Sequence, residues 1–307
     1  MKKYFPIVLF CYNRIYHLKK TLNFLKKNIN SEKHELIIFS DGPKSENDKK
    51  KILNIRSYLN TIKHFKKNLI INRNRNYGLH DNIVKGINKV FQKYEAAIFL
   101  EDDIQTNKYF LKNMNFLIRK FSKYKKIGCI SGYSYPIKVK KNYPDFYLIK
   151  GGECWGWATW SNRWKYYNND AQFTFNQLKR SNQLDEFNFE KGNLKNLIKT
   201  IKNNKFSWAI KWHASLFINK KFTIFPKYPS VNNFGFDATG ENCNYGHNIF
   251  YNKNIKKKFI INLKKEKLNL SENLKIKNEL KTFFINNKNF NLSKITGYAK
   301  KLINNYF

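Results

Sequence analysis

Strands and helices alternate regularly through the first hundred residues of this chain. Four short apolar runs, at 6–11, 36–39, 69–71 and 96–100, predict strands, and the first is typical of a strand buried on both faces. Between them lie segments with the apolar spacing of amphipathic helices, at 18–29, 46–59 and 79–91. Such alternation predicts an α/β fold with a mostly parallel, twisted sheet flanked by helices, since parallel strands need helical crossovers.

Polar residues follow each of these strands. They occupy positions 12–14, 40–42, 72–77 and 101–103. In an open parallel sheet the carboxyl ends of the strands meet at one edge, and ligands bind beyond that edge. The sequence therefore predicts a binding site built from these four segments.

The most informative of the four segments is the acidic triplet Glu101, Asp102 and Asp103, which directly follows an apolar strand. Three adjacent acids repel one another, and a hard divalent cation with oxygen ligands relieves that repulsion. The alternative is a helix N-terminus, which also favours acids and which Thr106 or Asn107 would cap. The position at the binding edge favours the metal site.

The composition limits the class of protein. The chain has 307 residues with 42% hydrophobic residues, and no apolar stretch is long enough for a membrane span, so we expect a soluble globular protein without a signal peptide. Its four cysteines are widely separated, which favours a reducing cytoplasm over a disulfide scaffold or a zinc knuckle. The formal charge of +38 has two explanations, a compositional bias towards lysine or attraction to phosphate-bearing substrates and anionic lipid.

The character of the sequence changes after about residue 130. All six tryptophans lie in two clusters, at 155–164 and 208–212, on either side of a polar insertion at 173–203 that we expect to be helical. A glycine-containing stretch at about 232–246 is typical of a lid loop. Beyond residue 250 the chain is lysine-rich, which predicts a basic, mainly helical C-terminal extension at 251–307, outside the main fold.

Taken in order, these motifs resemble the bacterial nucleotide-sugar glycosyltransferases of the GT-A fold, specifically the family 2-like enzymes that are similar to N-acetylglucosaminyltransferase I. The resemblance spans about residues 5–250. It is carried by I-V-L-F-C-Y-N-R at 7–14, F-S-D-G at 39–42, N-Y-G-L at 76–79, F-L-E-D-D at 99–103, G-G-E-C-W-G-W-A-T-W at 151–160, W-A-I-K-W at 208–212 and N-N-F-G-F-D-A-T-G at 232–240. It implies a glycosyltransferase domain at 1–250, with a nucleotide-binding half at 1–105 and an acceptor-binding half at 106–250.

The resemblance also implies roles for the residues at the sheet edge. Asp103 would bind manganese or magnesium, which bridges the donor diphosphate and acts as a Lewis acid on the leaving group. The other donor-binding candidates are Arg14, Asp41, Glu101, Asp102 and, in the first turn of the third helix, His80. Asp41 has an alternative role as a turn residue before Gly42 and Pro43. For the segment around His80, the alternative to a donor contact is that Asp81 or Asn82 caps the third helix.

The acceptor half offers aromatic and acidic candidates. Trp155, Trp157 and Trp212 are candidate acceptor-binding residues because indole rings stack on sugars, although aromatic stripes at helical spacing also form cores. An inverting transfer needs a general base. The related enzyme has an acid in the motif W-D-D-W, which here reads W-A-I-K-W, so Glu153, Asp237 and Glu241 become the candidate catalytic residues.

We therefore expect a metal-dependent enzyme that moves a sugar, most simply from a UDP-sugar, to a hydroxyl of a glycan or lipid-linked glycan during assembly of a bacterial surface polysaccharide or lipopolysaccharide. The expected location is the cytoplasm, with the basic tail on the inner membrane face. A catalytically degenerate glycan-binding protein is the first alternative. A nucleic-acid-binding protein is the second, but scattered lysines and clustered acids disfavour it, so no nucleic acid partner is expected.

Overall fold

The computed structural model of the protein describes residues 4–189, 192–237, 249–261 and 270–287. Ten strands are present in these ranges: β1 (Ile7–Cys11), β2 (Glu35–Ser40), β3 (Lys67–Asn72), β4 (Ala96–Glu101), β5 (Ile104–Thr106), β6 (Ile127–Ser131), β7 (Phe146–Lys150), β8 (Trp157–Trp160), β9 (Phe222–Pro226) and β10 (Val231–Asn233). The helices with defined bounds are α1 (Ile15–Lys26), α2 (Glu46–Asn60), α3 (Gly78–Phe91), α4 (Phe110–Phe121), α5 (Ser161–Trp164), α6 (Ala171–Arg180), α7 (Leu184–Asn188), α8 (Asn193–Lys202) and α9 (Trp208–Ile218). Residues 274–287 are also helical. Within the described ranges, no helix has the length and apolar character needed to cross a bilayer.

Eight of the strands form one sheet in the order β3-β2-β1-β4-β8-β6-β9-β7. The first four are parallel neighbours, as the alternation of strands and helices predicted. Beyond β4 the sheet becomes mixed, because β8 runs antiparallel to both β4 and β6. The carboxyl ends of β1, β2 and β4 therefore lie side by side at one edge.

The central strands of the sheet are buried on both faces, as β1 shows, whereas the edge strand β3 is partly exposed. Ile7 and Leu9 pack on one face together with α1, while Val8 and Phe10 face the opposite core with Ile83 of α3. All five residues of β1 are buried. A continuous apolar run is required at this position since each face of the strand contacts a helix layer.

The acidic triplet does not begin a helix. Glu101 ends β4, and residues 104–106 form β5, which pairs antiparallel with β10. Helix α4 starts only at Phe110, with the Asn107 side chain accepting a hydrogen bond from the backbone N–H of Tyr109. The alternative interpretation of the triplet as the first turn of a helix is therefore wrong.

The insertion at 173–203 is helical, as expected. Helices α6, α7 and α8 pack on α9 around an apolar cluster of their own that includes Leu178, Phe187 and Leu197. This bundle lies on the acceptor half of the predicted domain. It brings the exposed side of α8 to the binding edge of the sheet.

The expectation that the C-terminal extension lies outside the main fold is wrong for its described residues. Ile276, Leu280 and Phe284 are buried within the same core cluster as β1 and α1. The ring of Phe284 packs edge-on against Tyr135 at 5.3 Å between centroids. These apolar positions are spaced by four residues, so one face of the helix at 274–287 packs on the domain. Lys275 and Lys281 remain exposed, whereas Lys277 is half-buried and pairs with Glu186 and Glu272.

Candidate active site

A cleft of about 680 Å³ lies at the carboxyl edge of the parallel strands. All four predicted polar segments line it, through Arg14 after β1, Asp41 after β2, Asn76 after β3 and the triplet 101–103 after β4. Gly78, the first residue of α3, lines it as well. The strand topology thus gathers the segments that the sequence predicted.

Arg14 bridges the two aspartates of the triplet. Its Nη2 donates to Oδ1 of Asp102 and, at 2.9 Å, to Oδ2 of Asp103. Both aspartates are buried, with 4% and 6% of their surface exposed. Burial raises the pKa of Asp102, an effect that the positive charge of Arg14 opposes. The guanidinium therefore holds two carboxylates together that would otherwise repel each other.

The segment after β10 fixes Asp103 from the other side. The backbone N–H of Phe234 donates to the carbonyl oxygen of Asp103 at 3.0 Å, and Nδ2 of Asn233 lies 3.4 Å from its Oδ1. Gly235 packs so closely that a Cβ there would lie 2.3 Å from Oδ2 of Asp103. Two distant parts of the chain thus determine where this carboxylate points.

The donor set at this position suits a hard divalent cation. Carboxylate oxygens are the ligands that magnesium and manganese prefer, and one or two of them suffice when substrate phosphates supply the rest. Asp103 and its neighbour Asp102 provide two carboxylates at the cleft. The described part of the chain contains no cluster of three or more histidine, cysteine, aspartate or glutamate side chains that would hold a metal without a substrate.

Asp41 is largely committed to the protein itself. Its Oδ1 accepts from the backbone N–H groups of Gly42 and Tyr77, both at 2.8 Å. Its Oδ2 accepts from the N–H of Gly78 at 3.0 Å and lies 3.4 Å from the amide of Asn76. Burial raises the pKa of Asp41, while the three backbone hydrogen bonds act in the opposite direction. Four donors occupy the acceptor sites of one carboxylate, which favours the turn role that the sequence left open.

Residues 7–176, more than half of the chain, match the sequence profile of the glycosyl transferase family 2. The chain belongs to this family. Its nucleotide-binding strands, the acidic triplet and the first tryptophan cluster all lie inside the matched region.

Solved structures with similarity to the chain include two of S. aureus TarS. One matches with 16% identity and a TM-score of 0.32, covering 48% of this chain and 24% of the TarS chain. The other, of TarS residues 1–349, matches with 12% identity and a TM-score of 0.34, covering 52% of this chain and 48% of that one. The chain therefore spans about half or less of either structure. Comparison with curated protein sequences gives no match.

In this family 2 chain, His80 lies outside the cleft in which a donor was predicted to bind. The ring is buried and does not line the cleft. Its Nδ1 lies 2.9 Å from the carboxylate of Asp81 and therefore donates, which leaves Nε2 to accept from Nζ of Lys211 at 3.1 Å. The prediction that His80 contacts the donor is wrong in position, because both ring nitrogens face protein groups.

Lys211 stands in the W-A-I-K-W motif, where an acid was expected. It is buried, with 1% of its surface exposed, and donates also to Oδ1 of Asn169 and to two oxygens of Asn204. Burial lowers its pKa to about 8. The residue joins α9 to α3 behind the cleft wall, so it has a structural position and does not replace the missing base.

Glu153 does not line the cleft either. It lies in a separate small cavity together with His213, Lys277 and Phe284. Its carboxylate accepts from the hydroxyl of Tyr135 at 3.1 Å and from the backbone N–H of Cys154 at 2.9 Å. The prediction of Glu153 as catalytic base is therefore wrong in position, since the loop after β7 turns this side chain away from the binding edge.

The other two predicted catalytic residues lie in the segment after β10. Asp237 is partly exposed, two positions beyond Gly235, and its Oδ2 lies 2.9 Å from Nε2 of His17 on α1. It is therefore near the loop that holds Asp103, although not among the residues that line the cleft. Glu241, like the lid prediction from residue 238 onwards, lies outside the described residues.

The aromatic predictions divide between cleft and core. Trp155 lines the cleft, as predicted, and packs edge-on against Tyr133 at 4.8 Å. Trp157 and Trp212 have 2% and 0% of their surface exposed and pack on each other within the core, so neither can contact an acceptor. Their burial follows from the packing of α9 on the face of the sheet to which Trp157 of β8 points.

Several residues that line the cleft on the side of α8 and α9 were not among the predicted site residues. They are Asn196 and Lys199 of α8, Phe206, and Trp208 at the start of α9. The Ser207 hydroxyl caps α9 by accepting from the N–H of Ile210, a signal visible in the sequence as a serine before an apolar helix. The contribution of α8 has no such signal, because it depends on how the insertion packs.

Proposed function

We propose that this chain transfers a sugar from a nucleotide-sugar donor, a UDP-sugar in the simplest case, to a hydroxyl of a glycan acceptor with inversion at the anomeric carbon. The observation that carries this proposal is the cluster of Arg14, Asp102 and Asp103 at the carboxyl edge of parallel strands. Membership of glycosyl transferase family 2 supports it. The cleft is also large enough for a sugar nucleotide.

On the donor side, Asp103 would hold manganese or magnesium with help from Asp102, and the cation would neutralise charge on the diphosphate leaving group. Arg14 supplies a guanidinium suited to phosphate oxygens. Asp41 acts indirectly in this proposal, because its hydrogen bonds to residues 76–78 shape the loop that borders the nucleotide.

On the acceptor side, Trp155 offers ring surface for the apolar face of a sugar, and Lys199 and Asn196 offer polar groups for its substituents. A base must remove the proton of the acceptor hydroxyl as its oxygen attacks and the bond to the diphosphate breaks. Asp237 is our candidate, since it follows the loop that contacts Asp103. Replacement by asparagine should lower kcat while UDP binding persists.

The test is calorimetric titration of UDP in the presence of Mn²⁺ and then of EDTA. Metal-dependent binding that is lost in Asp103→Asn would support the donor site. The matched control is Asp185→Asn, which removes one exposed carboxylate on α7 and should bind UDP normally. Failure to bind UDP, GDP, CMP and dTDP would overturn the proposal.

A second candidate function is binding of a nucleotide sugar or glycan without turnover. The observation in its favour is the acceptor side of the cleft, where the described lining residues include Lys199 but no carboxylate. Release of UDP from a UDP-sugar, measured with a mixture of glycan acceptors, separates the two. Tight UDP binding without any release would favour this second function.

A further inference from the structure

Arg14 binds the two carboxylates that a divalent cation would need at this site. Its Nη2 contacts one oxygen of each aspartate, and it lies 2.9 Å from Oδ2 of Asp103. Among the described residues, the contact of the second oxygen of Asp103 is a long one, at 3.4 Å, with the amide of Asn233. A metal ion and a guanidinium repel each other at this distance, so they compete for the same carboxylate.

The other terminal nitrogen of Arg14 points to a second partner. Nη1 is buried and has no hydrogen-bond partner in the described part of the chain. A buried donor on a charged group is costly to leave unpaired. Since Arg14 lines the cleft, an anionic oxygen of a ligand is the partner that this nitrogen lacks.

We propose that Arg14 is a positioning residue that makes metal binding depend on the nucleotide. Without a nucleotide the guanidinium pairs with Asp102 and Asp103 and keeps a divalent cation out. A nucleoside diphosphate offers phosphate oxygens to Arg14, which releases Asp103 for the metal. This inference rests on the proposed function, because it assumes that the cleft takes a diphosphate.

A control variant must separate the contact of Arg14 with the two aspartates from the effect of its positive charge alone. Lys44 lines the same cleft and carries the same charge, so its removal changes the local potential equally in sign. Its backbone N–H contacts the hydroxyl of Tyr12, and this contact survives a change of side chain. Lys44→Met is therefore a matched control for Arg14→Met.

The experiment measures Mn²⁺ affinity by calorimetry on metal-free protein, first alone and then with saturating UDP. For wild type, UDP should tighten Mn²⁺ binding about tenfold or more, within the range usual for coupled ligands. In Arg14→Met, Mn²⁺ alone should bind about tenfold tighter than in wild type, and the effect of UDP should shrink. Lys44→Met removes a charge from the cleft but leaves the guanidinium on the two aspartates, so Mn²⁺ alone should gain less affinity than in Arg14→Met, and UDP should still tighten Mn²⁺ binding.

Equal Mn²⁺ affinity of Arg14→Met and wild type without UDP would overturn the inference. An equal gain in Lys44→Met would do so as well. If Arg14→Met does not fold, as judged by circular dichroism, Arg14→Lys replaces it. A lysine should bind the two carboxylates more weakly than arginine does, so the Mn²⁺ affinity should still rise. Absence of UDP binding in all proteins, with or without metal, would instead overturn the proposed function.

Discussion

Gly235→Ala should disable the donor site while the fold remains intact. A Cβ at this position would lie 2.3 Å from Oδ2 of Asp103 and 2.9 Å from its Cγ. Ordinary contacts begin at 3.4 Å, so the carboxylate must move by about 1 Å. Such a shift breaks its 2.9 Å contact with Arg14 and displaces the proposed metal ligand. Misplacement of a catalytic group by 1 Å costs about a hundredfold in rate.

The assay is kcat/KM for the UDP-sugar, with Mn²⁺-dependent UDP binding as a second readout. A double-mutant cycle with Asp103→Asn serves as the control. If Gly235→Ala acts by moving Asp103, the losses in kcat/KM from the two substitutions will be strongly non-additive, because Asp103→Asn removes a carboxylate that Gly235→Ala has already displaced. Additive losses, or a normal rate with unchanged thermal stability, would refute the reasoning.

Three further predictions concern groups outside the acid cluster. Burial lowers the pKa of Lys211 to about 8, so above that pH the unfolded state binds more protons than the folded state. The free energy of unfolding of wild type, relative to that of Lys211→Met, should therefore rise between pH 8 and 10 in denaturant titrations. A difference between the two proteins that does not change with pH would contradict this. Trp157→Ala should lower the free energy of unfolding by about 3–5 kcal/mol, whereas Trp155→Ala should mainly weaken glycan binding, and the reverse pattern would exchange their assignments. Residues 288–307 contain four lysines, and their removal should weaken binding to anionic vesicles by about 1 kcal/mol for each lysine near the membrane surface. Unchanged co-sedimentation with these vesicles would refute a membrane role for this segment.

The truncation starts at residue 288 for a structural reason. Ile276, Leu280 and Phe284 belong to the main core, so removing the whole extension from residue 251 would expose apolar surface and destabilise the domain. Vesicle binding of such a protein would report unfolding as well as lost charge. Zwitterionic vesicles provide the control, since they should bind both proteins equally little.

The nucleotide-binding half was predictable because its information is local. Each strand of the parallel sheet is a short apolar run, and each polar segment follows its strand directly, so the sheet edge could be inferred without knowing any long-range contact. The match of 7–176 to glycosyl transferase family 2 agrees with that inference. The narrower resemblance to N-acetylglucosaminyltransferase I stays a prediction.

The acceptor half was less predictable since its side chains are directed by distant partners. Trp157 lies on β8, which is inserted between β4 and β6, and this pairing directs the ring towards Trp212. Glu153 follows β7, whose antiparallel pairing with β9 cannot be read from nearby residues.

The pairing of β5 with β10 has a consequence for the biosynthesis of this protein. Asp103 is held by Asn233 and Phe234, which leave the ribosome about 130 residues after it. Contacts over so long a stretch of chain form late in folding. A nascent chain that contains only the first four parallel strands therefore still lacks two of the contacts that fix Asp103, and the proposed donor site is complete only when residues 233–235 have been synthesised as well.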